Sequence, residues 1–365
     1  MIHTKVAIVG GGLAGLRAAR LLHGAGVDFV LLEARDRFGG RILSVDESGR
    51  PSEDGFDLGP SWFWPRMQPV MGALAEELGL AAFAQSSDGD VIFERMSRET
   101  PQRLRGGGAD PESMRLAGGA FALVRALVRD LPGERLLLGS RVTAMALASG
   151  RVELTISRAD GAVEALVAQR AIAAAPPRLL AATVAFTPGL QPATARLWRE
   201  TATWMAPHAK FFALYERAFW REAGLSGTAQ SMAGPMAEMH DATTASGRAA
   251  LFGFLGVDAE QRAAVGEKAL TGACLAQLAR IFGSQALQPR ATLLKDWAAD
   301  PLTATAADKV AAGHPVPSDV PWISGPWRER LALAGSETSP SEPGYLAGAV
   351  VASERAVRET LATLR

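Results

Sequence analysis

The chain reads as an α/β protein: a larger layered domain assembled from discontinuous pieces, with a smaller α+β domain beside it. Three observations predict this. An apolar strand near the N-terminus runs directly into a glycine-rich turn and a helix. Strands stand at both ends of the chain with helices between them, the pattern of layered α/β folds. A small-residue strand in mid-chain, Arg170 to Ala175, stops at Pro176-Pro177, as a strand packed closely under helices would.

The elements run in this order. Lys5 to Val9 is a short apolar run bounded by glycines, hence a strand; the helix after the glycines leads to a second strand, Val27 to Leu32. Residues 66–80 read as a helix, with Val70, Met71, Leu74 and Leu78 spaced for one face. Residues 84–117 are polar and glycine-rich, with one short strand around Val91 to Phe93. A helix is expected from about Ala120 to Asp130, then a strand from Arg135 to Leu138. Arg151 to Ile156 and Val163 to Val167 form a hairpin turning at Asp160-Gly161, a dipeptide that tolerates the positive φ of tight turns. Residues 208–216 read as a strand, Gly266 to Phe282 as a helix, Leu331 to Ala334 as a last strand, and a final helix starts near Tyr345. The expected division is 1–65, 118–185 and 325–365 in the larger domain, and 66–117 with 186–324 in the smaller.

Composition narrows the function. The 365 residues are 48% hydrophobic and 21% charged, enough to bury a core. Lys plus Arg is 38 and Asp plus Glu is 38, so nothing favours a nucleic-acid surface or a polybasic membrane anchor. One cysteine excludes an internal disulfide and a Cys-rich zinc site, and five scattered histidines without HExxH argue against any metal. No signal-peptide pattern and no apolar stretch of about 18 residues is seen. A cytoplasmic protein is the expectation.

The strongest local signal is VAIVGGGLAGLRAARLL. Gly10, Gly12 and Gly15 have the spacing G-x-G-x-x-G. The first permits a tight turn, the second lets the backbone approach a pyrophosphate, and the third lets helix and strand pack closely. The helix after the turn aims its N–H groups at the anion. The second strand ends in Glu33, whose carboxylate suits a ribose hydroxyl pair and repels a 2′-phosphate, which disfavours NADP. A Rossmann-type dinucleotide site is therefore expected. Gly39, Gly40 and Arg41 come next; two glycines let the chain pass close beneath a dinucleotide, and an arginine fork pairs with phosphate oxygens. A plain surface turn is the alternative for this triplet.

At this point the chain resembles the flavin-containing amine oxidases, the family of monoamine, polyamine and L-amino-acid oxidases. GGGLAGLRAARLL…LLEARDRFGGR is similar to the family's FAD fingerprint, DLGPSWFWP (Asp57 to Pro65) to its loop beneath the flavin, and LALAGSETSPSEPGYLAGAVVASERAV (Leu331 to Val357) to its C-terminal FAD segment. LAGGAFALVRAL, SRVTAMAL, AIAAAPPRLL and HAKFFALYERAFWREAGLSG are weaker likenesses between them. The resemblance implies a glutathione-reductase-like FAD domain with a substrate domain. It implies FAD contacts from Gly10, Gly12, Leu13, Ala14, Gly15, Glu33, Ala34, Arg35, Gly40 and Arg41, and from Gly59, Pro60, Ser61 and Trp62 under the flavin. It adds Val142 at the adenine, Ala175, Trp297, Gly335, Glu337 toward the ribityl–phosphate region, and Tyr345 and Leu346 at the final helix.

The catalytic residues it implies are Lys210, Trp297 and Tyr345. Lys210 would reach flavin N5 through water and serve oxygen reduction. The chain has five lysines against 33 arginines, and this one sits among Phe211, Phe212, Leu214 and Tyr215. An edge-strand lysine reaching solvent is the bland alternative. Trp297 would stand near the flavin, or be an ordinary core aromatic. Tyr345 would form half of an aromatic amine cage, or merely pack. The second cage aromatic aligns near Ala306 or Ala307, so half the cage is missing. No cysteine matches the covalent-flavin position; Cys274, with Leu270 and Leu278, reads as core, so FAD should be non-covalent. The 66–117 region is shorter than the helical cap of typical members, which implies a more open site or one completed by a second chain, a homo-oligomer among the expectations. The final helix should bury Leu346, Val350, Val357 and Leu361.

The activity implied is hydride transfer from an amine α-carbon to flavin N5, with reoxidation by O₂. Three competitors stand beside it: a desaturase or dehydrogenase of an alicyclic or isoprenoid substrate, a flavin-binding protein without turnover, and an NAD-dependent dehydrogenase. The last rests on the glycine turn alone.

Overall fold

The computed structural model describes residues 2–96, 99–106, 112–310 and 313–364. Parts of the polar 84–117 segment therefore lie outside the described residues. Two sheets organise the rest.

The first sheet has eight strands. Its middle is Ile2–Val9, which pairs in parallel with Phe29–Leu32 on one side and Val163–Ala173 on the other. Val6 to Ile8 and Phe29 to Leu32 are wholly buried, as a parallel sheet covered on both faces requires. Leu331–Leu333 adds in parallel to the end of Val163–Ala173, while the start of that strand turns into an antiparallel wing with Arg151–Arg158 and Ser140–Ala148. The expected hairpin is present, but Val163 to Val167 and Arg170 to Ala175 are not two strands. They are one continuous strand that serves the wing first and the parallel core second.

Helices Leu13–Gly24, Pro69–Glu77, Phe121–Arg129 and Leu346–Thr363 cover one face, meeting through Leu16, Leu22, Met71, Leu74, Leu123 and Val350. Trp198, Ile323 and Trp327 close the other. The final helix buries Val350 and Val357, and Leu346 is partly buried, but Leu361 is 37% exposed. Thr360 is the buried residue in that last turn, its hydroxyl donating back to Ala356 O, so the helix shows a different edge to the core there.

The second sheet runs in the order Ala291–Asp296, Ala209–Leu214, Ala250–Leu255, Met236–Asp241, Leu225–Ser231, Asp90–Glu94 and Gln102–Leu104. Only two of these strands are legible in the sequence. LSGTAQS and MAEMHD are too polar to announce themselves, and their strand character comes from their neighbours. Alternation along Ala209–Leu214 decides which side chains face the first layer. Ala209, Phe211 and Ala213 pack under helix Glu267–Phe282 with Leu270, Cys274 and Leu278. Phe212 and Leu214 turn to the opposite face, where Val45, Phe56 and Leu58 of the first layer meet the sheet. Lys210 shares that face by period 2. Among the described residues no helix is long and apolar enough to cross a membrane.

Candidate active site

A cavity of about 420 Å³ runs between the two sheets. One end is the glycine turn. Gly10 adopts φ +107°, open to glycine but rarely to other residues. A Cβ on Gly15 would overlap Gly10 O and lie 3.3 Å from Ala174 Cβ, so helix and strand meet only because that atom is absent. The Glu33 carboxylate accepts from Gly11 N–H at 2.6 Å and from Arg35 N–H at 2.8 Å, which ties the turn to the second strand. Arg37 donates to Phe38 O, Gly40 O and Ile42 O and so braces the Gly39-Gly40 bend; burial lowers its pKa. At the far end of the sheet the Ser140–Ala148 ladder skips between Val142 and Ala144, leaving local backbone out of register beside the cavity.

Arg41 lines the middle. Its fork holds Glu337 at 2.5 and 3.2 Å, and also reaches Ser336 Oγ and Trp204 O. Glu337 is fully buried and completes its shell with Trp204 N–H. Arg35 reaches away from the turn to Asp300 and Thr303, which pins the 300–303 segment to the cavity wall.

The other end belongs to the second sheet. Lys210 is 3% exposed. Its strand lies inside the sheet, between Ala291–Asp296 and Ala250–Leu255, so the edge-strand alternative falls. Nζ donates to Gly59 O at 2.7 Å, Asp57 O at 3.2 Å and Ser61 Oγ at 2.9 Å, and stands 4.6 Å over the Phe252 ring and 5.0 Å over Phe254. Burial pulls its pKa from 10.5 to about 7; the Asp57 carboxylate resists the fall and Arg115 adds to it. Asp57 is itself buried, holding Ser44 Oγ and Ala120 N–H on one oxygen while the other has no partner; burial raises its pKa. Trp297 is buried, its indole N–H on Leu58 O at 3.0 Å.

Tyr345 caps the N-terminus of Leu346–Thr363 and faces the cavity. Ala306 and Ala307 sit exposed in a separate short turn of helix and supply no partner ring. Instead His314 lies over Tyr345 at 4.5 Å between centroids, Trp204 lies against His314 at 4.1 Å, and Trp64 meets Tyr345 edge-on at 6.1 Å.

Of the expected residues, all but Gly15, Gly335 and Glu337 line the cavity. Those three support it from behind: a Cβ on Gly335 would lie 2.7 Å from Ala175 O. Trp64 and His208 fall within segments the sequence singles out, but nothing in them marks these two as site residues; Trp204 and His314 belong to no motif, and all four converge only in the fold. His208 lines the cavity two residues before Lys210, and its burial lowers its pKa.

A family model described as flavin containing amine oxidoreductase matches residues 13–106 and 94–361. The chain belongs to this family. Human amine oxidase [flavin-containing] B is 37% identical over 98 residues, a match that spans 27% of this chain and 18% of that enzyme. AofH of Mycobacterium tuberculosis, named as a flavin-containing monoamine oxidase, is 27% identical across 98% of this chain and 97% of its own. That alignment has 466 positions against 365 residues here, so at least 101 positions have no residue in this chain. Putrescine oxidase, solved as the A394C mutant, superposes with a TM-score of 0.79 at 20% identity, covering 99% of both chains. Cyclohexylamine oxidase from Brevibacterium oxydans gives 0.78 at 21%, over 99% and 100%. The fold of these oxidases thus extends over 99% of the chain, and membership of the family makes FAD its cofactor.

Proposed function

We propose that the chain is a FAD-dependent amine oxidase that uses O₂ as acceptor. One observation carries the reading: a buried lysine, held by three oxygens, faces the same cavity as a glycine turn built for a dinucleotide. The residues fit FAD, because Gly10 lets the turn close on Ala174 and Gly12 and Gly40 let their two segments approach each other, so that backbone lines this end of the cavity. Gly10, Gly12, Leu13 and Ala14 would take the pyrophosphate, Glu33 the ribose, and Val142 the adenine. Arg41, with Glu337 behind it, would set the phosphate and ribityl region, and Ser61, Trp62, Trp297, Tyr345 and Leu346 would flank the ring. FAD supplies the two-electron acceptor chemistry that side chains lack.

The chain's own residues do the rest. Tyr345 and Trp204 offer aromatic faces that attract a cationic amine and shape its slot. The N-terminus of the final helix brings a positive partial charge to the same wall. Lys210 takes or releases a proton at Nζ. Cys274 lies on the buried face of helix Glu267–Phe282, its thiol pushed up to about 12 by burial, and does not line the cavity; FAD without a covalent bond is the reading this supports. We assign 1–65, 118–185 and 325–365 to FAD, and 66–117 with 186–324 to substrate; within that division, helix Pro69–Glu77 and Trp198 pack against the first sheet's layer. The cytoplasm is the proposed compartment.

The test is a visible spectrum of the purified protein, then anaerobic addition of a panel of amines. Flavin bands released by acid, bleached by an amine and restored by air with formation of H₂O₂, are expected. A flavin that alicyclic compounds bleach and amines do not would replace this reading with the dehydrogenase.

A further inference from the structure

The three oxygens around Lys210 Nζ differ in kind. Asp57 O and Gly59 O are carbonyls and only accept; Ser61 Oγ is a hydroxyl and can accept or donate. An ammonium has three N–H donors, one for each oxygen. A neutral amine has two N–H donors and a lone pair. Its donors stay on the two carbonyls, and its lone pair then faces Ser61, whose O–H can turn to meet it. Both forms are fully hydrogen-bonded with the heavy atoms unmoved, and one hydroxyl rotation separates them. Ser61 is 9% exposed and Lys210 3%, so a group left unmatched there finds little water in its place.

We propose that Ser61 is a positioning residue that lets Lys210 gain and lose a proton in place, so that the pair, rather than the lysine alone, is the proton-handling group at this end of the cavity. The proton comes from cavity water and returns to it: one N–H bond forms as one O–H bond of hydronium breaks. The use made of that proton rests on the oxidase reading; the hydrogen-bond reversal is a property of the folded chain.

The surroundings suit the exchange. The Asp57 carboxylate, from strand Phe56–Asp57, favours the charged form; Arg115, from strand Met114–Leu116, opposes it. On the neighbouring strand Lys295 is the register partner of Lys210 and is paired with Asp300 at 3.0 Å. On the other side come Phe254 and then Glu238, which holds His240 at 2.6 Å. The Phe252 and Phe254 rings favour the cation, and burial disfavours it.

With five lysines in the chain, ¹³Cε-lysine labelling gives five signals, and the one missing in Lys210→Met identifies Lys210. The FAD-loaded protein is titrated between about pH 5 and 10. Lys210 should titrate near 7 in the parent. In Ser61→Ala the midpoint should fall by about one unit, because the charged form loses the stronger, charge-assisted bond. Ser61→Thr should restore it, and Ser61→Cys, a weak donor and acceptor, should lie between; retained flavin spectra show that each variant folds. A midpoint unchanged in Ser61→Ala, or shifted equally in Ser61→Thr, overturns the proposal. The titration needs no turnover, so a flavin that no amine bleaches would sink the oxidase reading and leave this result standing.

Discussion

Lys210 shows how a residue acquires chemistry from its place. The apolar neighbours in its strand announce a lysine with little water around it, but a sequence cannot say whether such a strand is an edge. Two flanking strands settle that. Its lowered pKa has a consequence for stability. Between about 7 and 10.5 the unfolded chain binds a proton at this lysine that the folded chain does not, so this group makes stability rise with pH across that window. Below 7 the cost of burying the charge is fully present. Lys210→Met should remove this rise, so the stability difference between parent and variant should move in the parent's favour by on the order of several kcal/mol from pH 7 to pH 10, followed by calorimetry at a series of pH values. The same variant, bleached by an amine and returned to air, should reoxidise about 100-fold more slowly than the parent, the size ordinary for loss of a proton-transfer group. Equal reoxidation rates in stopped-flow would remove Lys210 from that step.

At the level of elements, the glycine turn and the helix it starts are readable because backbone sterics are local. Three glycines at fixed spacing between a strand and a helix leave few other structures. Gly15→Ala should destabilise the chain by roughly 3 kcal/mol or more, since the new Cβ meets a backbone oxygen with no room to yield, and should abolish FAD retention in the purified protein. A stable, yellow Gly15→Ala protein would mean that the turn can open. The strands Leu225–Ser231 and Met236–Asp241 are not readable, because strands of small and polar residues owe their conformation to partners distant in sequence. The edge of the final helix departs from its apolar pattern for a related reason: Leu361 fits the stripe, yet the core meets a different edge of that turn, where Thr360 is buried and satisfies its hydroxyl within the helix.

On the scale of the molecule, the cavity is shared: the first sheet supplies the glycine turn, the second Lys210, and the loop Asp57 to Ser61 joins them through three hydrogen bonds. A ligand that fills it stabilises both layers together. FAD added to the stripped protein at about 100 times its Kd should add roughly 2.7 kcal/mol and raise Tm by about 3 to 4 °C, in one transition. NAD, lacking a partner for the Lys210 end, should leave Tm within about a degree; an equal shift with NAD would reopen the dehydrogenase reading. By itself the sequence determined the dinucleotide turn and the helical layer, because spacing, sterics and residue type act within a few positions of one another; the candidate lysine came from the family resemblance. Only the tertiary structure decided that Lys210 is enclosed, that Arg41 meets Glu337 across 296 positions, and that His314 and Trp64, not a residue at 306 or 307, stand against Tyr345. Those contacts join segments far apart in the chain, and their geometry exists only once both sheets have closed on the cavity between them.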